Sequence, residues 1–149
     1  MTKVSLLIFE SYLALIKNSV DSNLFRNLYA QVDQEKKDIT NDGNLSCAFF
    51  VSSVLVLFKL IGEGHATVKS TVADMEESGW KEIKEPKIGS ILVWEKKEIN
   101  GGLNSHIGFY LGDNQAISNN SKTGKPVTHH WTYNQTRKVE EIYWHQKLD

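Results

Sequence analysis

The sequence predicts an α+β fold in one domain spanning residues 1–149, and three observations carry that reading. Apolar residues recur at helical spacing through the first half of the chain, whereas beyond Trp80 they recur at every second position. Turn residues then divide the second half into segments short enough only for strands. The composition, 40% hydrophobic and 23% charged over 149 residues, suits a single core and excludes disordered or low-complexity architectures. Helices followed by a run of strands is the order of an α+β protein, because a parallel sheet alternates the two.

The first predicted helix covers residues 4–17. It follows a lysine, as a signal peptide would, but Glu10 interrupts the apolar run, and Lys17-Asn18-Ser19 reads as a helix end with no cleavage site after it. No clear leader is legible, so a cytoplasmic location, or release by a non-standard route, is expected. A second helix is predicted over residues 22–34, where Leu24, Phe25, Leu28, Tyr29 and Val32 share helical spacing. Residues 35–44 form a polar connection that ends in the turn signal Asp42-Gly43-Asn44. The most apolar stretch follows, residues 47–61. It is too short to cross a bilayer and carries Ser52, Ser53 and Lys59, so it reads as a helix buried on nearly every side, with no membrane insertion. A shorter helix over residues 68–78 places Val68, Val72 and Met75 on one face, and Gly79 stops it.

Five strands are predicted: residues 90–95, 106–112, 115–119, 126–132 and 139–145. Each is rich in β-branched and aromatic residues. The separators are residues 86–89, Gly101-Gly102, Gly112-Asp113-Asn114, Thr123-Gly124 and Asn134. An antiparallel meander is the simplest way to join them. No internal repeat or linker is visible.

Seventeen basic against eighteen acidic residues leave a net charge of −1, and no basic excess offers a track for nucleic-acid phosphates. A single cysteine forms no internal disulfide and is too few for a thiolate zinc site. Cys47 therefore either packs or reacts. It opens the most apolar helix, directly after the turn, with Ser46 as the expected N-cap. Free N–H groups and the positive helix end there favour a thiolate, and the same donors stabilise an oxyanion. Position at the tip of the helix argues for a nucleophile.

A nucleophilic thiol needs an imidazole within reach. Of the five histidines, His106 is the candidate: it starts a strand after a flexible loop at residues 101–105, and Gly108 leaves open space beside it. His65, His129, His130 and His145 read as solvated or structural. No His-Glu-x-x-His motif and no helical histidine pair is present, so neither a metal nor another cofactor is expected. Trp94, Tyr110, Trp131, Tyr133, Tyr143 and Trp144 are candidates for a substrate groove, although packing is the commoner role of aromatics on strands.

Three segments carry a family resemblance. Leu45-Ser46-Cys47-Ala48-Phe49-Phe50-Val51-Ser52 resembles the Asp-Cys-Ser-Gly-Phe-Val segment of NlpC-type cysteine peptidases and the related CHAP amidases, within the papain-like superfamily. Pro86-Lys87-Ile88-Gly89-Ser90-Ile91-Leu92-Val93-Trp94 is similar to their Pro-Gly-Asp-Leu-Val-Phe-Phe segment. His106-Ile107-Gly108-Phe109-Tyr110-Leu111-Gly112 is similar to their His-Val-Gly-Ile-Tyr-Leu-Gly strand. The segments occur in family order and span roughly residues 44–120.

The resemblance implies a papain-like fold, with a central helix packed on an antiparallel sheet of about five strands and a Cys47–His106 catalytic pair. It implies a peptide or peptidoglycan-like substrate, cleaved at a peptide or amide bond of the bacterial cell wall. Two positions depart from the family: Ser46 stands where Asp is usual, and Phe49 where Gly is usual. The alternative these departures leave open is a catalytically inactive papain-like module for binding or immunity. The third catalytic residue falls by ungapped count on Ser118. A three-residue loop at Gly112-Asp113-Asn114 would put Ser118 and Asn120 on the face of His106, and a two-residue loop would put Asn119 there, since a register slip of one reverses every side chain.

Overall fold

A computed structural model of the chain describes residues 1–99 and 101–149 and is α+β. Helix α1 (Ile8–Asn18) starts four residues later than predicted, because Val4, Leu6 and Leu7 are exposed and meet no core. Its buried residues, Tyr12 and Ile16, stand one turn apart. The Tyr12 hydroxyl donates to the Gly89 carbonyl at 2.7 Å, which pins α1 to the start of the sheet.

The predicted helix over residues 22–34 does not form. Strand β1 (Tyr29–Val32) pairs with β2 (Glu35–Asp38) in a separate two-stranded hairpin, and residues 22–28 are loop and turn. Its turn residues, Asp33 and Gln34, both have positive φ, the geometry of a two-residue hairpin. The apolar spacing was misleading: Leu24 and Tyr29 are exposed, and only Phe25 reaches the core. Polar chemistry decides the segment instead. Asp38 accepts from the N–H groups of Leu28, Thr40 and Asp42 and from the Asn27 amide, while Arg26 pairs with Asp42 at 2.7 Å.

Helix α2 (Cys47–Leu57) buries Ala48, Phe50, Val51, Val54 and Leu55. Its one buried polar side chain, Ser52, is satisfied by the backbone of His65, accepting from N–H at 2.8 Å and donating to C=O at 3.0 Å. Helix α3 (Val68–Glu77) is capped by Thr67, which accepts from the Ser70 N–H, and its last turn gives way to Gly79 at φ +101°.

Strands β3 (Lys81–Glu82), β4 (Ile91–Ile99), β5 (Gly102–Gly112), β6 (Gln115–Asn120), β7 (Lys125–His130) and β8 (Val139–Trp144) form one antiparallel sheet in the order β3-β8-β4-β5-β6-β7. The strand beyond the expected five is β3, whose two residues are too short to show a period. Residues 102–105, predicted as a flexible loop, belong to β5: beyond a bulge at Trp94/Lys97 they pair with Lys97, Glu98 and Ile99. Among the described residues no helix is long and apolar enough to cross a membrane.

The helices cover one face of the sheet. Ile91, Val93, Ile107, Phe109, Ile117 and Tyr143 meet Tyr12, Phe50, Val54 and Met75 in the main core. Phe109 is its hub, with ring centroids 5.3 Å from Phe50 and 5.9 Å from Tyr12. Burying each such side chain contributes about 1.5–3 kcal/mol. The opposite face holds a smaller cluster, Leu92, Trp94 and Ala116, flanked by Tyr110, Trp131, Tyr133 and Ile142.

Candidate active site

Cys47 occupies the first position of α2, as predicted, but the helix is not capped as expected. The Ser46 side chain makes no cap; its hydroxyl donates to the Phe25 carbonyl. Ser46 is fully buried, so a carboxylate at this position would lie out of water against a carbonyl. The first-turn N–H groups of α2 are left without a side-chain cap, and the Cys47 thiol lies against the N–H groups of Ala48 and Ile107. Ile107 presents its N–H one step beyond the end of the β5–β6 ladder at Gly108↔Ser118.

The electrostatic expectation for the thiol is corrected. Burial pushes the Cys47 pKa up, above the ordinary thiol range, and outweighs the backbone N–H groups and the Arg137 charge that pull it down. His106 moves the other way: burial, then the charges of Arg137 and His129, lower its pKa to about 3. At neutral pH the two groups are therefore an un-ionised thiol and a neutral imidazole. Both line one cleft of about 930 Å³, together with Asn119, Tyr133 and Arg137. Among the described residues no hydrogen bond joins the thiol to His106.

The position of Ser118 resolves the question of register. The turn has two residues, Asp113 and Asn114, with Gly112 paired to Gln115. On its own that would put Asn119 beside His106. A bulge between Tyr110 and Gly112 adds one residue to β5 and restores the parity, so Ser118 faces His106. Ser118 Oγ lies 2.8 Å from His106 Nε2. Asn119 points to the opposite side, where its Nδ2 donates to the Gly43 carbonyl at 2.8 Å and holds the turn that leads into Cys47. Asn120 ends β6, and its side-chain oxygen accepts from the N–H groups of Lys122 and Thr123 in the turn that follows.

The space beside Gly108 is not open, as was expected; it is filled. A Cβ there would lie 2.7 Å from both Ile117 O and Ser118 Cβ, and 3.0 Å from the Trp94 ring. Glycine lets Trp94 and Ser118 close on His106, whose ring rests 5.1 Å from Trp94.

Three more residues join this group, and of them the sequence had offered only Tyr133, as a groove aromatic. His129 Nε2 lies 2.7 Å and Tyr133 Oη 3.0 Å from Ser118 Oγ. The buried Arg137 guanidinium donates to the carbonyls of Glu95 and Asn104, at the bulge that reshapes β4. His129 was legible in principle: pairing β6 with β7 across the turn puts Ala116 opposite His129 and Ser118 opposite Val127, so odd residues of β7 share the face of Ser118. Tyr133 and Arg137 come from an irregular turn, where no periodicity announces a direction.

The other histidines are structural. His65 Nε2 meets Asp74 at 2.6 Å, and His145 bonds the Ser78 carbonyl under Trp80. His130 Nδ1 accepts from the N–H groups of Thr132 and Asn134 and shapes their turn. Of the candidate groove aromatics only Tyr133 lines the cleft; Trp94 is buried beneath His106, and Tyr110 packs on Trp131. Among the described residues no group of three or more His, Cys, Asp or Glu side chains is placed to hold a metal. In comparisons with known proteins, no family model and no curated protein matches the chain.

Proposed function

We propose that this chain is a papain-like thiol hydrolase that cleaves a peptide or amide bond, with peptides of bacterial peptidoglycan as its substrate class. The observation that carries the reading is the meeting in one cleft of Cys47, at an uncapped helix start, with a histidine whose Nε2 is held by Ser118. The resemblance of the three segments around Cys47, Ile91 and His106 supports the substrate class.

In the proposed reaction the thiol proton passes to His106 as Cys47 Sγ attacks the carbonyl carbon. The displaced electron pair settles on the carbonyl oxygen, where the uncapped N–H of Cys47 donates to it. Collapse breaks the C–N bond, and His106 returns the proton to the leaving amine. Water then releases the acyl group from sulfur, restoring the thiol. Because the resting pair is neutral, charge separates only as the bond to carbon forms.

Incubation with purified peptidoglycan and with simple peptide amides, followed by mass spectrometry of the products, tests the proposal. New amine and carboxylate termini are expected from the wild type and none from Cys47→Ala. Retained cleavage in that variant would end the assignment.

One observation favours a second reading, a catalytically silent papain-like module for binding or immunity: burial pushes both members of the pair away from the ion-paired state. Alkylation of Cys47 by iodoacetamide at pH 8 separates the two. If His106 serves as the base, His106→Gln slows alkylation; in a silent module the substitution leaves the rate unchanged.

A further inference from the structure

We propose that His129, acting through the Ser118 hydroxyl, sets the tautomer of His106 in which Nδ1 is free to accept a proton, an inference that rests on the Cys47–His106 reading. The argument is a count of donors and acceptors. His129 Nδ1 lies 2.8 Å from the His130 carbonyl oxygen, which can only accept, so His129 carries its proton on Nδ1. Its Nε2 is then a lone pair, and the Ser118 hydroxyl, 2.7 Å away, must donate to it.

That uses the one hydrogen Ser118 has. Its two remaining neighbours, His106 Nε2 at 2.8 Å and Tyr133 Oη at 3.0 Å, must both donate to it. Neutral His106 therefore holds its proton on Nε2 and leaves Nδ1 bare. The direction of the whole chain is set at the His130 carbonyl, the one member that cannot be reversed. Burial lowers the pKa of His129 and supports its neutral form. The rings are packed to hold the chain: His129 stacks on Tyr133 at 4.1 Å, and Trp94 borders His106, His129 and Tyr133. Ser118 is fully buried, so no bulk water competes for its hydroxyl.

Without an acceptor at residue 129, Ser118 is free to turn its hydrogen toward His106 Nε2. That favours the opposite tautomer, with Nδ1 protonated and useless as a base. His129 is thus a positioning residue, two hydrogen bonds removed from the His106 ring.

The experiment is long-range 1H–15N correlation spectroscopy of the full chain labelled with 15N-histidine, with the His106 signals assigned by their loss in His106→Gln. Wild-type protein at pH 7 is expected to show Nε2 protonated and Nδ1 bare. His129→Leu is expected to move His106 toward the Nδ1–H form, and His129→Gln, whose side-chain oxygen can accept from Ser118, to recover the native tautomer. If His129→Leu does not fold, His129→Phe cuts the same link while keeping a ring against Tyr133. A wild-type His106 protonated on Nδ1 would overturn the proposal, as would a tautomer unmoved in these variants. The spectra need no turnover, so the tautomer stands or falls separately from the hydrolase reading. Where cleavage is measurable, His129→Leu is expected to lower kcat by roughly 10- to 100-fold with little change in KM.

Discussion

The two faces of the six-stranded sheet are built for different purposes. The helix face is apolar and interlocked, with Ile91, Val93, Ile107, Phe109 and Ile117 closing on the helices. The other face begins in the same way, on Leu92, Trp94 and Ala116, but on it stand His106, Ser118, His129 and Tyr133, joined by hydrogen bonds. A two-residue alternation in β5 writes both, with Ile107 and Phe109 to one side and His106 and Gly108 to the other. Stability is concentrated on the first face and hydrogen-bond direction on the second. Cys47 is the one candidate that reaches the site from the helix layer, which is why its thiol feels core burial before it feels the polar cluster.

The largest expected effect comes from breaking the first face. Phe109→Ala removes a fully buried ring that contacts both Tyr12 and Phe50, and should cost about 3–5 kcal/mol in denaturant unfolding. A cost below about 1 kcal/mol would mean that the helix face is not where stability is held.

Gly108→Ala tests the second face with a single methyl. The new Cβ would meet the Ile117 carbonyl and Ser118, backbone-anchored atoms that cannot swing aside as a flexible side chain does. A destabilisation of about 1–3 kcal/mol is expected, the range of overpacked cores. Because the displaced atoms are those that hold His106, the His106 ring nitrogens should also shift in 15N spectra. A neutral substitution with unmoved spectra would show the closure around Gly108 to be loose.

Most of the strand half was legible because half-buried antiparallel strands alternate, and Ile91 to Trp94 and His106 to Gly112 alternate or run apolar without interruption. The helix start at Cys47 was legible for the same kind of reason, a turn followed by an abrupt apolar run. Residues 22–34 misled because five apolar side chains at helical spacing say nothing of whether a core waits for them. The carboxylate of Asp38 and the Asp33-Gln34 turn outweighed that pattern. The third site residue depended on a bulge at Leu111, which carries no signature in residue type, so Ser118 and Asn119 stayed open until the strands were paired. The raised thiol pKa is not legible in sequence, because a helix terminus is visible there and the depth of its burial is not.

The smallest expected effect sharpens the comparison through pH. The folded-state pKa of His106, about 3, is depressed below the ordinary histidine value, so the unfolded chain binds its proton first as pH falls. His106 therefore contributes stability that is complete above about pH 6.5 and is lost as pH falls toward 3. Cys47 has the opposite sign: its raised pKa contributes stability below the ordinary thiol range that is lost as pH rises through the folded value. Asp38 and Asp74, both depressed by hydrogen bonds that overcome burial, add acid sensitivity of their own. Their carboxyls are still largely ionised at pH 5 in folded and unfolded chains alike. Between pH 7 and pH 5 His106 stays neutral in the folded chain while the unfolded chain takes up its proton, and His106→Gln removes that difference. Wild-type protein is expected to lose on the order of 1 kcal/mol more than the variant over that interval, read as a steeper fall in Tm. Equal falls in the two proteins would place the ring of His106 in water, and would remove the dry setting that the hydrogen-bond chain through Ser118 requires.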